Sequence, residues 1–416
     1  MNPLAAAVEN RITALRPALA VSLPGGRLLG AADARVRLAL KDWTALLHLA
    51  RGQIGRLADD HVHGRIELSG SMRDIAEAAA ELVDADPTRG NLGSWWAKGW
   101  GNWRSRLRHT RAADARQVQY HYDVSDEFYA LWLDPRRVYS CAYWPASVGD
   151  LAAAQEAKLD LVCRKLMLQP GERFLDVGAG WGALLLWAAE NYGVQATGIT
   201  LSKRQHAHVN RLIAERGLGG RVAMHLLDYR ELPEDRPFHK IASIGMFEHV
   251  GRARLPTYFR KLRRLLEPGG LLMNHGITAG GTRNRELGAG IGEFIDRHIF
   301  PGGELVHVAH VLEAMADAGW EALDVENLRP HYAKTLWAWS DNLEAKLAQA
   351  STLADESTLR AWRLYLAGSA VSFERGWMAL HQVLAARPTG RVEDGVPRGA
   401  QSVYPFTRDH VYRDRA

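Results

Sequence analysis

A strand that runs through a glycine-rich turn into a helix is the feature that most constrains the fold of this chain. Phe174-Leu175-Asp176-Val177 has the pattern of a buried strand, and Gly178-Ala179-Gly180-Trp181-Gly182 leads directly into an apolar helix from Ala183 to Asn191. Such a turn lets backbone approach a nucleotide-like ligand closely, and the helix offers its N-terminus to that ligand. The competing interpretation is an ordinary tight turn of an α/β protein.

The spacing of these glycines separates classes of nucleotide site. Asp176-x-Gly178-x-Gly180-x-Gly182 lacks the G-x-G-x-x-G spacing of dinucleotide-binding turns. It resembles the S-adenosylmethionine (SAM) turn of class I methyltransferases. A second G-x-G-x-G lies at residues 288–292, but the polar segment 283–286 precedes it instead of a buried strand. We interpret this second copy as a flexible loop and a candidate lid.

Strand and helix patterns alternate through the region that contains the first turn. Strands are predicted at 172–177, 194–199, 221–226, 239–244, 270–275 and 321–326, and amphipathic helices at 152–167, 203–216, 254–266 and 307–318. This alternation is typical of a mainly parallel, doubly wound sheet with helices on both faces. The aromatic-rich stretch 335–386 is predicted to form helices that cover the site. Ligands bind such sheets at the carboxyl ends of the strands.

Several residues just after the predicted strands are therefore candidate ligands. Gln205 follows the second strand, where no acidic residue is present to hold a ribose diol. Ser202-x-x-Gln205 is also a capping box that would open the next helix, and both roles stay open. After the third strand, Asp228 and Tyr229 are a candidate edge-and-face contact for an adenine ring.

Breaks in the pattern divide the 416 residues into four segments. Residues 1–88 are predicted to form a small α/β unit with strands at 36–40 and 64–68. Residues 89–118 are predicted to be a basic, tryptophan-rich linker, and 119–390 the domain that contains the glycine turn. Residues 391–416 form a polar tail.

The linker has the composition of a membrane-contacting segment. Between Arg89 and Arg116 it holds seven Lys and Arg residues against one acid, together with the tryptophans Trp95, Trp96, Trp100 and Trp103. Indole rings and cations suit an anionic membrane surface. The alternative is a solvated linker whose tryptophans pack on a neighbouring domain. Nucleic acid is not expected as a partner, because no nucleic-acid-binding motif accompanies the charge.

Composition indicates a soluble, cytoplasmic protein. Hydrophobic residues make up 47% and charged residues 24% of the chain. The first 20 residues include Glu9, Arg11 and Arg16, which interrupt the apolar core that a signal peptide needs. The two cysteines, Cys141 and Cys163, cannot form a disulfide framework. We predict no metal site, because His307-x-x-His310 lacks a third ligand in the pattern.

Eight short motifs, taken in chain order, resemble the cyclopropane-fatty-acyl-phospholipid synthase family, relatives of the mycolic acid cyclopropane synthases and methyltransferases. They are Tyr120-His121-Tyr122-Asp123, 139–144, 176–182, 198–202, Asp228-Tyr229-Arg230, 245–251, 300–303 and Tyr332-x-x-Thr335-Leu336. The segment 64–70 is similar to the small lipid-associated domain that precedes the catalytic domain in these synthases. Ala179 replaces a cysteine that the family often has in the turn, and its small side chain should preserve the turn.

The resemblance implies a class I SAM-methyltransferase fold, which is Rossmann-like, preceded by the lipid-associated domain. It also implies the reaction. The SAM methyl group is transferred to a cis double bond of a phospholipid acyl chain, and proton loss then closes a cyclopropane ring. The alternatives are a methyltransferase that stops at a methyl- or methylene-branched lipid, and a non-catalytic lipid-binding protein. The implied location is peripheral, at the inner face of the cell membrane, and dimerisation through the N-terminal unit is implied by analogy.

The resemblance also implies the roles of individual residues. Bound bicarbonate is the base, held by Cys141, Glu248, His275, Tyr332 and the backbone N–H of Ile277. The residues expected to bind SAM lie at the glycine turn and the strand ends: Tyr122, Tyr139, Ser140, Asp176, Gly178, Gly180, Gly182, Thr200, Leu201, Gln205, Asp228 and Tyr229. Glu248 and His275 favour ring closure over a branched product, because they are expected to hold the anion that removes the proton.

Overall fold

The computed structural model describes residues 3–16, 18–83, 87–88, 125–282, 287–389, 404–405 and 407–412. The N-terminal residues form a small four-stranded sheet with the strand order β2-β1-β3-β4. Its strands are Leu19–Ser22 (β1), Leu28–Leu29 (β2), Val36–Leu40 (β3) and Ile66–Ser69 (β4). Its helices are Pro3–Thr13 (α1), Thr44–Ala50 (α2), Ile54–Val62 (α3) and Met72–Glu81 (α4). In β3, buried and exposed residues alternate, as the period of two predicts.

The remaining strands form one seven-stranded sheet with the order β10-β11-β9-β8-β5-β6-β7. They are Arg173–Val177 (β5), Gln195–Thr200 (β6), Val222–Leu226 (β7), Phe238–Ile244 (β8), Leu266–Ala279 (β9), Glu321–Asn327 (β10) and Met378–Ala386 (β11). Five adjacent strands of the sheet, β9, β8, β5, β6 and β7, are parallel to one another. Strand β11 runs antiparallel to both of its neighbours, β9 and β10. The predicted doubly wound α/β sheet is confirmed, and each of the six predicted strands is present.

Helices pack on both faces of this sheet and beyond the ends of its strands. They are Asp126–Trp132 (α5), Leu151–Lys165 (α6), Ala183–Tyr192 (α7), Lys203–Glu215 (α8), Leu255–Leu265 (α9), Ile291–His298 (α10), Val308–Asp317 (α11), Arg329–Glu344 (α12), Leu347–Leu353 (α13), Glu356–Glu374 (α14) and Asp409–Tyr412 (α15). Phe174 of β5 packs into the core under α6, α7 and α8. Its neighbour Leu175 packs into the core under α9 and α11. Successive side chains of one strand thus enter opposite layers, as the pleat requires.

The prediction of helices throughout 335–386 is wrong at its end. Residues 335–374 lie in α12, α13 and α14, but 378–386 form β11, which fills the gap between β9 and β10. The segment is rich in Ala and Leu, which favour helices locally. Hydrogen bonding to strands on both sides outweighs that preference, because a central strand satisfies all of its backbone groups.

A third helical layer joins the small sheet to the large one. Helices α12 and α14 pack against each other, and α14 also contacts α3 and α4. Trp132, Trp339 and Trp362 form the aromatic centre of this layer. The ring centroid of Trp132 lies 5.6 Å from that of Trp339 and 5.5 Å from that of Trp362. The tryptophans are buried core residues, and the layer lies over the carboxyl ends of the strands.

The second glycine motif lies in a turn that leads into a helix, and the segment 283–286 before it lies outside the described residues. Residues 288–290 are a turn, and Ile291 begins α10. The turn contacts α3, where the Gly55 N–H donates a hydrogen bond to Ala289 O at 3.0 Å. A Cβ atom on Gly55 would lie 1.9 Å from Gly290 O, so two backbones cross without room for a side chain. The motif is therefore a docking point for the N-terminal unit.

The remaining predictions concern the linker, the C-terminal tail and His307. The linker with Trp95, Trp96, Trp100 and Trp103 lies outside the described residues. In the tail, Tyr404 is buried in the large-domain core. His307 caps α11 by accepting a hydrogen bond from the Ala309 N–H. None of the helices in the described part of the chain has the length and apolar composition of a membrane span.

Candidate active site

The glycine turn builds the first part of the site at the end of β5. Gly178, Gly180 and Gly182 all have positive φ angles, of 77°, 55° and 82°. Gly182 is the residue that precedes α7, and a Cβ atom there would lie 2.8 Å from the Val209 side chain. The turn therefore needs glycine both for its left-handed backbone and for its close approach to α8.

A two-lobed cleft opens beside this turn. The first lobe is lined by Tyr139, Ser140 and Asp176. The second lobe is lined by Thr200, Leu201, Asp228 and Tyr229. Three residues, Gly178, Gly180 and Gln205, line both lobes. The structure thus brings together nearly all the residues that the sequence placed at the cofactor. Gly182 contributes to the turn and not to the lining, and Tyr122 lies outside the described residues.

Gln205 takes part in the cap of α8, and its side chain also lines the cleft. Ser202 caps α8 by accepting a hydrogen bond from the Gln205 N–H. The Gln205 side chain is buried in the cleft wall, where its Oε1 accepts a 2.7 Å hydrogen bond from Thr200 Oγ1. Among the described residues its Nε2 has no partner. A buried amide donor is thus available to a ligand in the cleft.

Asp228 is less available than the sequence suggested. Its carboxylate caps the Arg230 N–H at 2.9 Å and pairs with the Arg230 guanidinium at 2.6 Å. The adjacent Tyr229 is buried, and its ring packs edge-on against Tyr258 at 5.0 Å between centroids. The two residues line the second lobe, but the local ion pair uses much of the acceptor capacity of Asp228.

A separate, largely apolar cavity of about 140 Å³ adjoins the cleft. Its walls include Ile295, Phe300, Leu336, Phe373 and Leu380. Four of the predicted anion ligands, Cys141, Glu248, His275 and Tyr332, line the same cavity together with Ile277. Tyr139, Ser140 and Gly245 line both this cavity and the first lobe, so the two spaces meet at the end of β8.

Glu248 is a buried carboxyl group at the edge of the cavity. Its Oε1 accepts a 2.7 Å hydrogen bond from the Ile277 N–H, the same amide that was expected to bind an anion. Within the described residues its Oε2 is buried without a partner. Burial raises the pKa of Glu248 to about 7, although the hydrogen bond from Ile277 opposes the rise. A proton is therefore available on this carboxyl group near neutral pH.

His275 lies on β9 and is 1% exposed. Burial lowers its pKa well below the ordinary value, and the positive charges of Lys158 and Lys165 lower it further. Its Nδ1 lies 3.1 Å from Nε2 of Gln382 on β11, and its Nε2 is buried without a partner among the described residues. The cavity thus contains a neutral imidazole beside a protonatable carboxyl group.

Cys141 and Tyr332 have different surroundings. The Cys141 thiol is fully buried, and burial raises its pKa above the ordinary value, so it is not poised to form a thiolate. Its Sγ lies 3.2 Å from Ala142 O. Tyr332 packs against Phe373 and Trp339, with centroid separations of 4.7 and 6.0 Å. A nucleophilic role for the thiol is therefore not supported.

Three buried polar residues of α6, Gln155, Lys158 and Lys165, escaped the sequence analysis, and two of them hold Ser140. Lys158 Nζ donates a 2.9 Å hydrogen bond to Ser140 Oγ, and Gln155 Nε2 donates a 2.9 Å hydrogen bond to Ser140 O. Burial raises the pKa of Asp176 to about 7, and Lys158 opposes that rise. A signal was present, because two polar residues three apart interrupt an otherwise apolar helix face.

Comparison with known proteins places this geometry in a family. The sequence profile of the mycolic acid cyclopropane synthetase family matches residues 109–383. A probable fatty acid methyltransferase from Pseudomonas putida is 43% identical over 379 residues, which are 91% of this chain and 92% of that protein. The solved cyclopropane synthase MmaA2 from Mycobacterium tuberculosis is 36% identical, with a TM-score of 0.62, over 65% of this chain and 98% of that one.

A second solved structure is the mycolic acid cyclopropane synthase CmaA1 complexed with SAH and CTAB. It is 39% identical with a TM-score of 0.61, and the match covers 65% of this chain and 98% of that one. The fold and the cleft at the strand ends define a class I SAM-dependent methyltransferase. More narrowly, the chain belongs to the mycolic acid cyclopropane synthetase family. The family resemblance predicted from the sequence is confirmed.

Proposed function

We propose that this protein is a SAM-dependent lipid-modifying enzyme that converts a cis double bond of a phospholipid acyl chain into a cyclopropane ring. The single observation that carries the proposal is the junction at Gly245, where the cleft beside the glycine turn meets an apolar cavity with buried Glu248 and His275. The cleft suits a polar nucleoside-containing donor, whereas the cavity suits an acyl chain.

The proposed chemistry needs no nucleophile from the protein. The π electrons of the alkene attack the sulfonium methyl carbon, and the bond between sulfur and that carbon breaks with its electrons going to sulfur. Positive charge then lies on the adjacent acyl carbon. Loss of a proton from the transferred methyl group leaves the electrons that close the ring. The raised pKa of the buried Cys141 thiol agrees with a reaction in which no thiolate attacks.

The residues present fit the bicarbonate that the family resemblance implies. Buried Glu248 Oε2 and His275 Nε2 have no partner among the described residues, and they line one cavity. A small oxyanion that carries its own hydroxyl can satisfy both a donor and an acceptor. Bound bicarbonate would supply a base for the proton that leaves the methyl group. Glu248, His275, Cys141 and Tyr332 would hold it.

The side chains of the cavity would also protect the cation. Phe300, Leu336, Phe373 and Leu380 are apolar groups that exclude water from the reacting carbons. Water would otherwise add to the carbocation and divert it to an alcohol. Ile277, whose N–H binds Glu248, fixes that carboxyl at the cavity edge.

A branched-chain product is the second candidate function. The relative that is 43% identical is named a probable fatty acid methyltransferase. A methylene branch would arise if a 1,2-hydride shift moved the positive charge to the methyl-bearing carbon before a methyl proton was lost, and a saturated methyl branch would require a separate hydride donor. The buried Glu248 and His275 line the cavity and fit a proton-removing anion, which supports a product formed by proton loss over a saturated methyl branch formed by hydride addition.

The test is incubation of the full-length protein with SAM and vesicles of a monounsaturated phospholipid. NMR and fragmentation of the released acyl chain are needed, since a ring and a methylene branch have the same mass. We expect a cyclopropane from the wild type, and at least a 100-fold lower rate from Glu248→Ala. The matched control is Glu313→Ala, which removes an exposed glutamate of α11. No methyl transfer to any lipid by the wild type would refute the proposal.

We also propose that the linker segment holds the enzyme at an anionic membrane surface. Its support is the sequence composition of residues 89–116, with four tryptophans and a strong excess of basic residues. We expect cosedimentation with phosphatidylglycerol vesicles that weakens as salt is raised, and little with phosphatidylcholine. Binding that does not depend on salt or headgroup charge would contradict this proposal.

A further inference from the structure

The contact at Nδ1 of His275 determines which of its two ring nitrogens carries the proton. Its Nδ1 lies 3.1 Å from the Nε2 of Gln382, across the antiparallel pairing of β9 and β11. Gln382 is itself completely buried. A side-chain amide nitrogen can only donate, so an imidazole nitrogen that it contacts must be unprotonated.

The orientation of the Gln382 amide is in turn fixed by a charge. Its Oε1 accepts a 2.9 Å hydrogen bond from Nζ of Lys165, the last residue of α6. An ammonium group has only donors, so the oxygen of the amide must face Lys165 and the nitrogen must face His275. A flipped amide would place its N–H₂ group against the ammonium.

Lys165 is held in place by acidic residues of β10. Its Nζ contacts Glu326 and lies 3.4 Å from Asp324, while its side chain is 1% exposed. These carboxylates compensate the buried charge and hold the ammonium group against Gln382. A chain of fixed donors and acceptors therefore runs from the sheet edge at Glu326 through Lys165 and Gln382 to His275.

We propose that Gln382, oriented by Lys165, is a positioning residue that locks His275 in the neutral tautomer with its proton on Nε2. His275 then presents an N–H donor to the cavity and cannot act as the proton acceptor there. This second statement rests on the proposed function, because it assigns His275 to holding an oxyanion and leaves proton removal to that oxyanion. The tautomer itself depends only on the hydrogen-bond chain.

The decisive measurement is the protonation pattern of the His275 ring in the full-length protein. Selective ¹⁵N labelling of histidine rings and a long-range ¹H–¹⁵N correlation spectrum distinguish the two neutral tautomers and the cation. The His275 signals are assigned as those missing from His275→Asn. We expect the pattern of a neutral ring protonated on Nε2 between pH 6 and 8.

Gln382→Glu is the variant that should move the His275 proton from Nε2 to Nδ1. The new carboxylate has the same size and still pairs with Lys165, but it can only accept, so it requires the proton on Nδ1. We expect the tautomer to switch and kcat for lipid methylation to fall by about 100-fold or more, since a wrongly protonated ring nitrogen disables a catalytic histidine. The SAM dissociation constant should change less than twofold. Gln349→Glu, the same exchange at an exposed position of α13, is the matched control.

A merely structural role for Gln382 would give a different result. Lys165→Met leaves the amide in place but frees it to turn, and we expect a mixture of His275 tautomers with partial loss of kcat. If only packing mattered, both variants would lower the melting temperature without changing the ring pattern. Should Gln382→Glu fail to fold, the wild-type spectrum still decides.

The outcomes separate this inference from the proposed function. A wild-type ring that is protonated on Nδ1, or is cationic at pH 7, would overturn the inference even if the enzyme makes cyclopropanes. An unchanged tautomer in folded Gln382→Glu would overturn it as well. If no lipid is methylated but the ring is protonated on Nε2, the proposed function fails and the tautomer assignment stands.

Discussion

Lys158 Nζ donates a 2.9 Å hydrogen bond to Ser140 Oγ in the interior of the catalytic domain. Ser140 lies between Tyr139, which lines the cleft, and Cys141, which lines the apolar cavity. One buried ammonium thus anchors the segment that separates the two ligand spaces. Burial lowers the pKa of Lys158 to about 8, so the anchor carries its charge at neutral pH.

Removal of this ammonium should weaken the cleft. We expect Lys158→Met to raise the SAM dissociation constant about 10- to 100-fold, because a hydrogen bond to a charged group is worth about 1.5–3 kcal/mol. Asp176 would also lose the charge that opposes its raised pKa. Isothermal titration calorimetry measures the effect, with the exposed Lys41→Met as control. An unchanged dissociation constant would show that Lys158 only fills space.

Glu248 should make the stability of the protein depend on pH. Its pKa rises from an ordinary 4.5 to about 7 on folding, so the native state keeps a proton that the unfolded chain loses. Stability therefore decreases as pH rises from about 4.5 to about 7, by about 3 kcal/mol from this group.

Glu248→Gln removes this titration. We expect the variant to gain stability relative to the wild type as pH rises, with little difference below pH 4.5. Urea unfolding at pH 5, 6, 7 and 8 in carbonate-free buffer measures the difference, and Glu313→Gln is the exposed control. A stability difference that is constant with pH would contradict the raised pKa.

Gly276 should be irreplaceable because Glu248 and Phe247 crowd its backbone. A Cβ atom there would lie 2.3 Å from the Phe247 ring and 2.7 Å from Glu248 Oε1. We expect Gly276→Ala to displace Glu248 and to lower the rate of lipid methylation more than 10-fold, because small displacements of catalytic groups are costly. SAM affinity should be retained.

The control is Gly219→Ala, at a turn where an added Cβ meets no atom within 4 Å. A crystal structure of Gly276→Ala would show whether Glu248 has moved. If activity persists with Glu248 unmoved, the cavity is more compliant than these contacts indicate.

The docking of the N-terminal unit should depend on the backbone crossing more than on ion pairs. Gly55→Ala would place a Cβ atom 1.9 Å from Gly290 O, and we expect a loss of about 1–3 kcal/mol. Asp341→Ala removes an exposed pair with Arg73 and should cost less than about 1 kcal/mol. Chemical denaturation compares the two variants. Equal losses would assign docking to the charges.

The sequence was sufficient to predict the site residues at the ends of the strands. It was not sufficient to predict the buried residues that hold those site residues in place. Asp176 and the glycines of the turn are local to one strand and helix, so periodicity and spacing located them. Gln382 contacts His275 from 107 residues away in the chain. Its strand has Ala and Leu at many positions, and only pairing with β9 and β10 selects the extended backbone.

The ammonium groups of α6 were missed for a related reason. Lys158 and Lys165 lie seven residues apart, on one face of the helix, and lysine side chains are usually exposed to solvent. Their burial follows from partners on other elements, Ser140 in one case and Gln382 in the other. The presence of polar residues on an apolar helix face could have been recognised in the sequence. Their hydrogen-bond partners could not, because those partners lie on other elements.

The insertion of β11 between β9 and β10 has a consequence for biosynthesis. A nascent chain that has reached Asn327 has both flanking strands but not the one that joins them, so β9 has an open edge and His275 lacks its partner. At about 5–20 residues per second, the ribosome needs roughly 5–20 s to add the 107 residues that separate His275 from Gln382. Assembly of the site is thus a late event, and premature termination before β11 would yield an aggregation-prone polypeptide and not a partly active enzyme.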